Sequence, residues 1–145
     1  MPNHFHFIVH ANHNSILATP NSSIPMQHLT DGIRILLSGH SKYINERSRR
    51  AGNLFQQKTK RKCISVKDNN YALVAFHYTH QNPFKAGLVQ RMEDWKFSSF
   101  HDYFENRSDS ICNLKLAIEL LNIEMSHFYE DSYHEIAEEK LKLIL

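Results

Sequence analysis

Apolar and polar residues alternate strictly at the head of the chain. Phe5, Phe7 and Val9 fall on one side of an extended segment, and His4, His6, Ile8 and His10 on the other. A strand is therefore expected near residues 3–10. Its period of two sets the His4 and His6 imidazoles side by side. Two neutral imidazoles at that spacing can hold one divalent cation. Taken alone, the pair reads as well as two solvated side chains.

The period then changes. Residues 11–23 are polar and aperiodic, as a loop is. A helix is expected from Ile24-Pro25, with Ser23 as its cap and Pro25 in its first turn. Its apolar stripe runs through Met26, Leu29, Ile33, Leu36, Leu37, His40, Tyr43 and Ile44, and reads as core packing. Ala51-Gly52-Asn53 breaks the pattern. Beyond it, Leu54-Phe55-Gln56 and the alternation from Lys58 to Val66 predict a second extended stretch. Asp68 caps the next predicted helix, which reaches Asn82 and is expected to stop at Pro83. Trp95, Phe97, Phe100, Tyr103 and Phe104 form an aromatic patch, read as core rather than as a stacking surface. Leu114, Ala117, Ile118 and Leu121 mark a short amphipathic helix, and Ile136, Leu141, Ile144 and Leu145 a second.

Length and composition narrow the class. The 145 residues suffice for one domain with a core, and 41% hydrophobic and 22% charged residues are ordinary for a globular chain. No apolar run is long enough to span a bilayer, and no signal peptide is read. Cys63 and Cys112 match no zinc spacing and are expected to be reduced, in a cytoplasmic setting.

Charge changes the picture more. Residues 1–96 hold 13 basic and 5 acidic side chains, whereas residues 97–145 hold 4 and 10. From Arg47 to Lys62 there is no acid, and Arg47, Arg49, Arg50, Lys58, Lys60, Arg61 and Lys62 follow one another. Such a run suits a track for nucleic-acid phosphates; its plain counterpart is a solvated edge strand guarded by lysines.

The chemistry sits on the second helix. Tyr78 and Asn82 are four residues apart and share a helix face. A phenol can attack a phosphodiester, become a phosphotyrosine, and be displaced by a hydroxyl. Two histidines and one amide oxygen would coordinate a cation incompletely, leaving positions for substrate oxygens and water. His10, His77 and His80 lie near these motifs and are read first as surface or packed side chains.

Met1-Pro-Asn-His-Phe-His-Phe-Ile-Val, then Gly52-Asn-Leu-Phe-Gln, then Tyr78-Thr-His-Gln-Asn-Pro-Phe-Lys-Ala-Gly-Leu-Val resembles the single-tyrosine HUH transposases. The branch it resembles most is the REP-associated tyrosine transposases. Trp95-Lys-Phe-Ser-Ser-Phe with Asp102-Tyr103 adds to the likeness, which covers residues 1–104. The resemblance implies an α+β, ferredoxin-like antiparallel sheet with helices on one or both faces. Relatives carry a strand and a helix before the Met-Pro-Asn-His segment, so the fold is expected to lack these. Residues 105–145 would form an acidic helical tail. The resemblance also implies Tyr78 as nucleophile and His4, His6 and Asn82 as ligands of Mg²⁺ or Mn²⁺; DNA contacts are expected from the basic run and from Lys85. The activity implied is metal-dependent cleavage and rejoining of single-stranded DNA beside a hairpin, through a 5′-phosphotyrosine. The alternative is a remnant that binds hairpin or single-stranded DNA without cutting. Related enzymes include dimers, so a homodimer is a further expectation, and no membrane partner is expected.

Overall fold

The computed structural model describes residues 5–20, 26–55, 60–64, 69–105, 107 and 109–144. Among these residues six α-helices follow in order: α1 (His28–Arg47), α2 (Asn69–Lys85), α3 (Phe100–Phe104), α4 (Leu114–Leu121), α5 (Phe128–Tyr133) and α6 (Glu138–Ile144). Single 3-10 turns lie at His13–Ile16 and Met92–Asp94. The chain divides into two compact units, one of residues 9–62 and one that joins the segment up to Ile8 with everything from Cys63 onward. No helix among the described residues is long and apolar enough to cross a membrane.

The expected ferredoxin-like sheet is absent among the described residues, whose β pairing consists of one isolated antiparallel bridge, Ala18 with Gln27. Residues 5–10 keep their side-to-side alternation, for the Phe5 and Phe7 rings meet at 4.8 Å. They form no ladder, and Phe7 stays 60% exposed. Alternation fixes which side a residue takes; a sheet also needs a neighbouring strand to satisfy its amides and carbonyls. Residues 60–64 lack a ladder as well, and Lys60, Arg61, Lys62 and Cys63 are exposed. Lys58 and Val66 lie outside the described residues.

In the unit of residues 9–62, α1 starts at His28, later than expected, and the predicted cap Ser23 lies outside the described residues. Its entry is set by the chain pairing around Ala18: Thr19 donates to the Met26 carbonyl at 2.9 Å and His28 to that of Leu17 at 2.9 Å. The loop before it contains the His13–Ile16 turn, closed by a capping box between Asn12 and Ser15. The α1 stripe is only partly covered. Leu29, Ile33, Leu37 and Ile44 are half-buried, whereas Leu36 and Tyr43 are exposed. The expected core packing of this stripe is not seen among the described residues: no residue of α1 is buried, Met26 precedes the helix, and His40 is exposed as well.

The other unit holds the core, built on α2. Ala72 and Phe76 face Met92, Phe100, Tyr103, Leu121, Ile123 and Phe128. Phe76 stands edge-on to Tyr103 at 4.9 Å, and Phe100 and Phe128 meet at 5.3 Å. These rings bury much apolar area, and the crossed Phe76–Tyr103 pair adds an edge-to-face preference. Helices α4, α5 and α6 all pack against α2. Pro83 does not end α2, which continues to Lys85. A proline in the last turn removes one amide donor, and little helix remains to be disturbed. The end is made by Gly87 at φ +67°, with its amide on the Phe84 carbonyl (2.9 Å) and that of Leu88 on Pro83 (3.0 Å). This is the paired closure of a helix by a left-handed glycine.

Candidate active site

Helix α2 presents three different surfaces. Ala72, Phe76 and His80 repeat every four residues and face the core. His77 and Gln81 lie on the next strip and engage α5. His77 Nδ1 is 3.2 Å from the Ser132 hydroxyl, and Gln81 Nε2 donates to the carbonyls of Ser132 (2.8 Å) and His134 (2.7 Å). Tyr78 and Asn82 fall on the remaining side, about 200° and about 240° around the helix from Phe76 at about 100° per residue. The core and the α5 contacts thus fix the rotation of α2, and that rotation aims Tyr78 and Asn82.

His6 lies against this side. Its imidazole meets the Tyr78 ring edge-on, with centroids 5.8 Å apart and planes at 81°. Two predicted site residues 72 positions apart in sequence are therefore neighbours. Asn82 is buried one turn beyond Tyr78, and its Nδ2 has no hydrogen-bond partner in the protein. An orphaned buried amide is costly unless something else meets it. Imidazole nitrogen and amide oxygen are donors that Mg²⁺ or Mn²⁺ accepts, and such a pair leaves most of the shell to other oxygens. The predicted third ligand, His4, lies outside the described residues. Among the described residues no three His, Cys, Asp or Glu side chains gather as metal ligands.

The histidines nearest Tyr78 in sequence serve packing. His80 is only 2% exposed, its Nε2 is 2.8 Å from the Ser99 hydroxyl, and its Nδ1 has no partner. Burial, with His77 nearby, pushes its pKa down to about 3, so the ring is neutral. Burial also lowers His77, against the opposing pull of Asp131. This polar layer had little sequence signal beyond three polar side chains, His77, His80 and Gln81, set in an apolar helix.

The predicted DNA-contacting residues fall in both units. Arg47 ends α1 and donates to the Tyr43 hydroxyl at 2.8 Å. Arg49 holds the left-handed region at φ +49°, and Arg50, Lys60, Arg61 and Lys62 are exposed beyond it. All of these belong to residues 9–62. Lys85 belongs to the unit of α2, where its ammonium lies 4.0 Å from the Glu135 carboxylate.

Comparison with protein-family models, with curated proteins and with solved structures gives no match for this chain.

Proposed function

We propose that this protein is a transposase-type enzyme that cleaves and rejoins single-stranded DNA, with Tyr78 as the nucleophile. The observation that carries the proposal is the edge-on contact between His6 and Tyr78, because it joins a candidate metal ligand to a candidate nucleophile. The shared face of Tyr78 and Asn82, and the order of motifs that resembles the REP-associated tyrosine transposases, support it further.

In the forward step the Tyr78 phenol loses its proton and its oxygen attacks phosphorus. The bond from phosphorus to the 3′-oxygen breaks, and that oxygen takes up a proton. A 5′-phosphotyrosine and a free 3′-hydroxyl result. Attack by a 3′-hydroxyl on the phosphotyrosine reverses the step and restores Tyr78. Mg²⁺ or Mn²⁺, when bound, would supply Lewis-acid stabilisation of charge at the phosphate. His6 and Asn82 are the described residues that would hold it. The rigid seating of α2 on its core contributes positioning, which a weakly nucleophilic phenol needs to be effective.

The test is a covalent adduct. Incubated with hairpin-bearing single-stranded DNA and Mn²⁺, the protein should form a complex that survives denaturing electrophoresis. Tyr78→Phe should form none. An adduct of unchanged yield in that variant would overturn the role of Tyr78. Salt-sensitive DNA binding with no adduct in the unaltered protein would favour a non-cutting DNA-binding protein instead.

A further inference from the structure

A cavity of about 230 Å³ opens beside α3, between the Lys96–Ser99 turn and Arg107, Asp109 and Ile111. Its walls carry three kinds of chemistry. Phe97 and Ile111 are apolar and strongly exposed, at 75% and 98%. Asp102 and Asp109 supply carboxylates, and Asp102 is only 7% exposed. Lys96 and Arg107 supply cations at the same opening.

The core does not use Phe97. Phe100, three residues later, is fully buried, whereas Phe97 reaches into solvent. Its ring is nonetheless oriented. Trp95 stands edge-on to it at 5.7 Å, and the Lys96 ammonium lies 4.8 Å from its centroid. Arg107 is likewise held, with its Nε 3.3 Å from the Glu105 carboxylate, and its other guanidinium donors remain for a ligand.

From this we infer that the cavity takes one unpaired, amine-bearing nucleobase of a DNA strand. The base stacks on Phe97 and against Ile111, its exocyclic amine donates to Asp102 or Asp109, and its phosphate meets Lys96 and Arg107. A flat ring is what two exposed apolar side chains can cover on both faces. Carboxylates accept from the amine of cytosine and have no donor for thymine. The two cations match the charge that every nucleotide carries. Strand nucleotides and free nucleotides share this chemistry, and the proposal commits to the strand. It rests on the strand-transfer function of Tyr78 for its ligand class, but the residues involved are different.

Binding of fluorescein-labelled (dC)₆ and (dT)₆ is measured by anisotropy on the full chain in Mg²⁺-free buffer. The unaltered protein should prefer (dC)₆ by about tenfold. Phe97→Ala should weaken (dC)₆ binding by about tenfold, and Phe97→Trp should restore it. Asp109→Asn should erase the preference for (dC)₆ while (dT)₆ binding holds steady or tightens. Both positions are exposed, and circular dichroism checks that the fold is kept. Equal binding of the two oligonucleotides, or an unchanged Phe97→Ala variant, would overturn the assignment. Free dCMP bound as tightly as (dC)₆ would overturn the commitment to a strand. The two proposals fail separately. DNA binding indifferent to Phe97 together with a Tyr78 adduct removes only the base pocket. Phe97-dependent binding of (dC)₆ without any adduct removes only the strand transfer.

Discussion

His6 and Tyr78 meet ring to ring, 5.8 Å between centroids and close to perpendicular, although 72 positions separate them in the chain. The contact admits two roles for His6, holding the phenol by packing or holding a cation by its nitrogens. Two substitutions separate them. His6→Phe keeps a ring beside Tyr78 but has no ligand atom, and His6→Ala removes both. If the nitrogens matter, each variant should lower Mn²⁺-dependent adduct formation by roughly 10- to 100-fold. His6 is exposed, so the unfolding free energy from urea titration should change little, by no more than about 0.5 kcal/mol. Normal adduct yield from His6→Phe would assign the residue to packing alone.

The buried histidines make stability depend on pH in a definite direction. His80 is pushed down to about 3 in the folded chain, and His77 is lowered with it. An unfolded histidine titrates near 6.5. Below that value the unfolded state takes up protons that the folded state refuses. Stability is therefore full above about pH 6.5 and is lost as the pH falls from 6.5 towards 3. From His80 alone the loss by pH 4.5 is on the order of 2–3 kcal/mol. Urea titrations at pH 7.5, 5.5 and 4.5 should follow this fall, and His80→Gln should flatten it. A stability profile level across that range would contradict the burial of His80.

Gly87 offers a test of how α2 is held next to Asn82. Its φ of +67° lies in the left-handed region, and open space surrounds the position a Cβ would take. The expected cost of Gly87→Ala is therefore conformational, about 1–2 kcal/mol, and not steric. Thermal unfolding should show a lower midpoint. The Gly52→Ala variant, at φ +99° in the other unit, provides a comparison far in sequence from Tyr78 and Asn82. Loss of adduct formation in Gly87→Ala at temperatures where the protein is folded would tie the helix end to the site.

What could be read from the chain follows the range of the interactions involved. The Tyr78–Asn82 spacing and helix α4 rest on local periodicity, and both helices are present where expected. The sheet rested on alternation in residues 3–10 and 58–66, a pattern that specifies sidedness without naming a partner strand. No ladder forms among the described residues. The α2 terminus was displaced by a closure that involves Gly87 and Leu88, which outweighs the breaking tendency of Pro83. Within one aromatic run, Phe100 is buried and Phe97 is not, and only the placement of Phe128 and Tyr103 against α2 decides between them. The same holds for His77, whose partner Ser132 is 55 residues away.

The basic residues after α1 should reveal themselves through salt. Each phosphate contact releases condensed counterions, so the slope of log affinity against log salt concentration counts contacts. Arg49, Arg50, Lys60 and Arg61 are exposed and sit in a stretch without acids; Glu46, the carboxylate just before it, lies 3.9 Å from the Lys42 ammonium. Changing any one of them to Ala should weaken binding to all single-stranded sequences alike and reduce the slope by about 0.7. Arg34 supplies the control. It is exposed as well, but its guanidinium is bound to Asp31 at 2.7 Å, and that pair is neutral overall. Arg34→Ala should leave the slope unchanged. A slope equally insensitive to Arg49, Arg50, Lys60 and Arg61 would leave these residues as a solvated surface, and the DNA contacts would have to come from elsewhere on the chain.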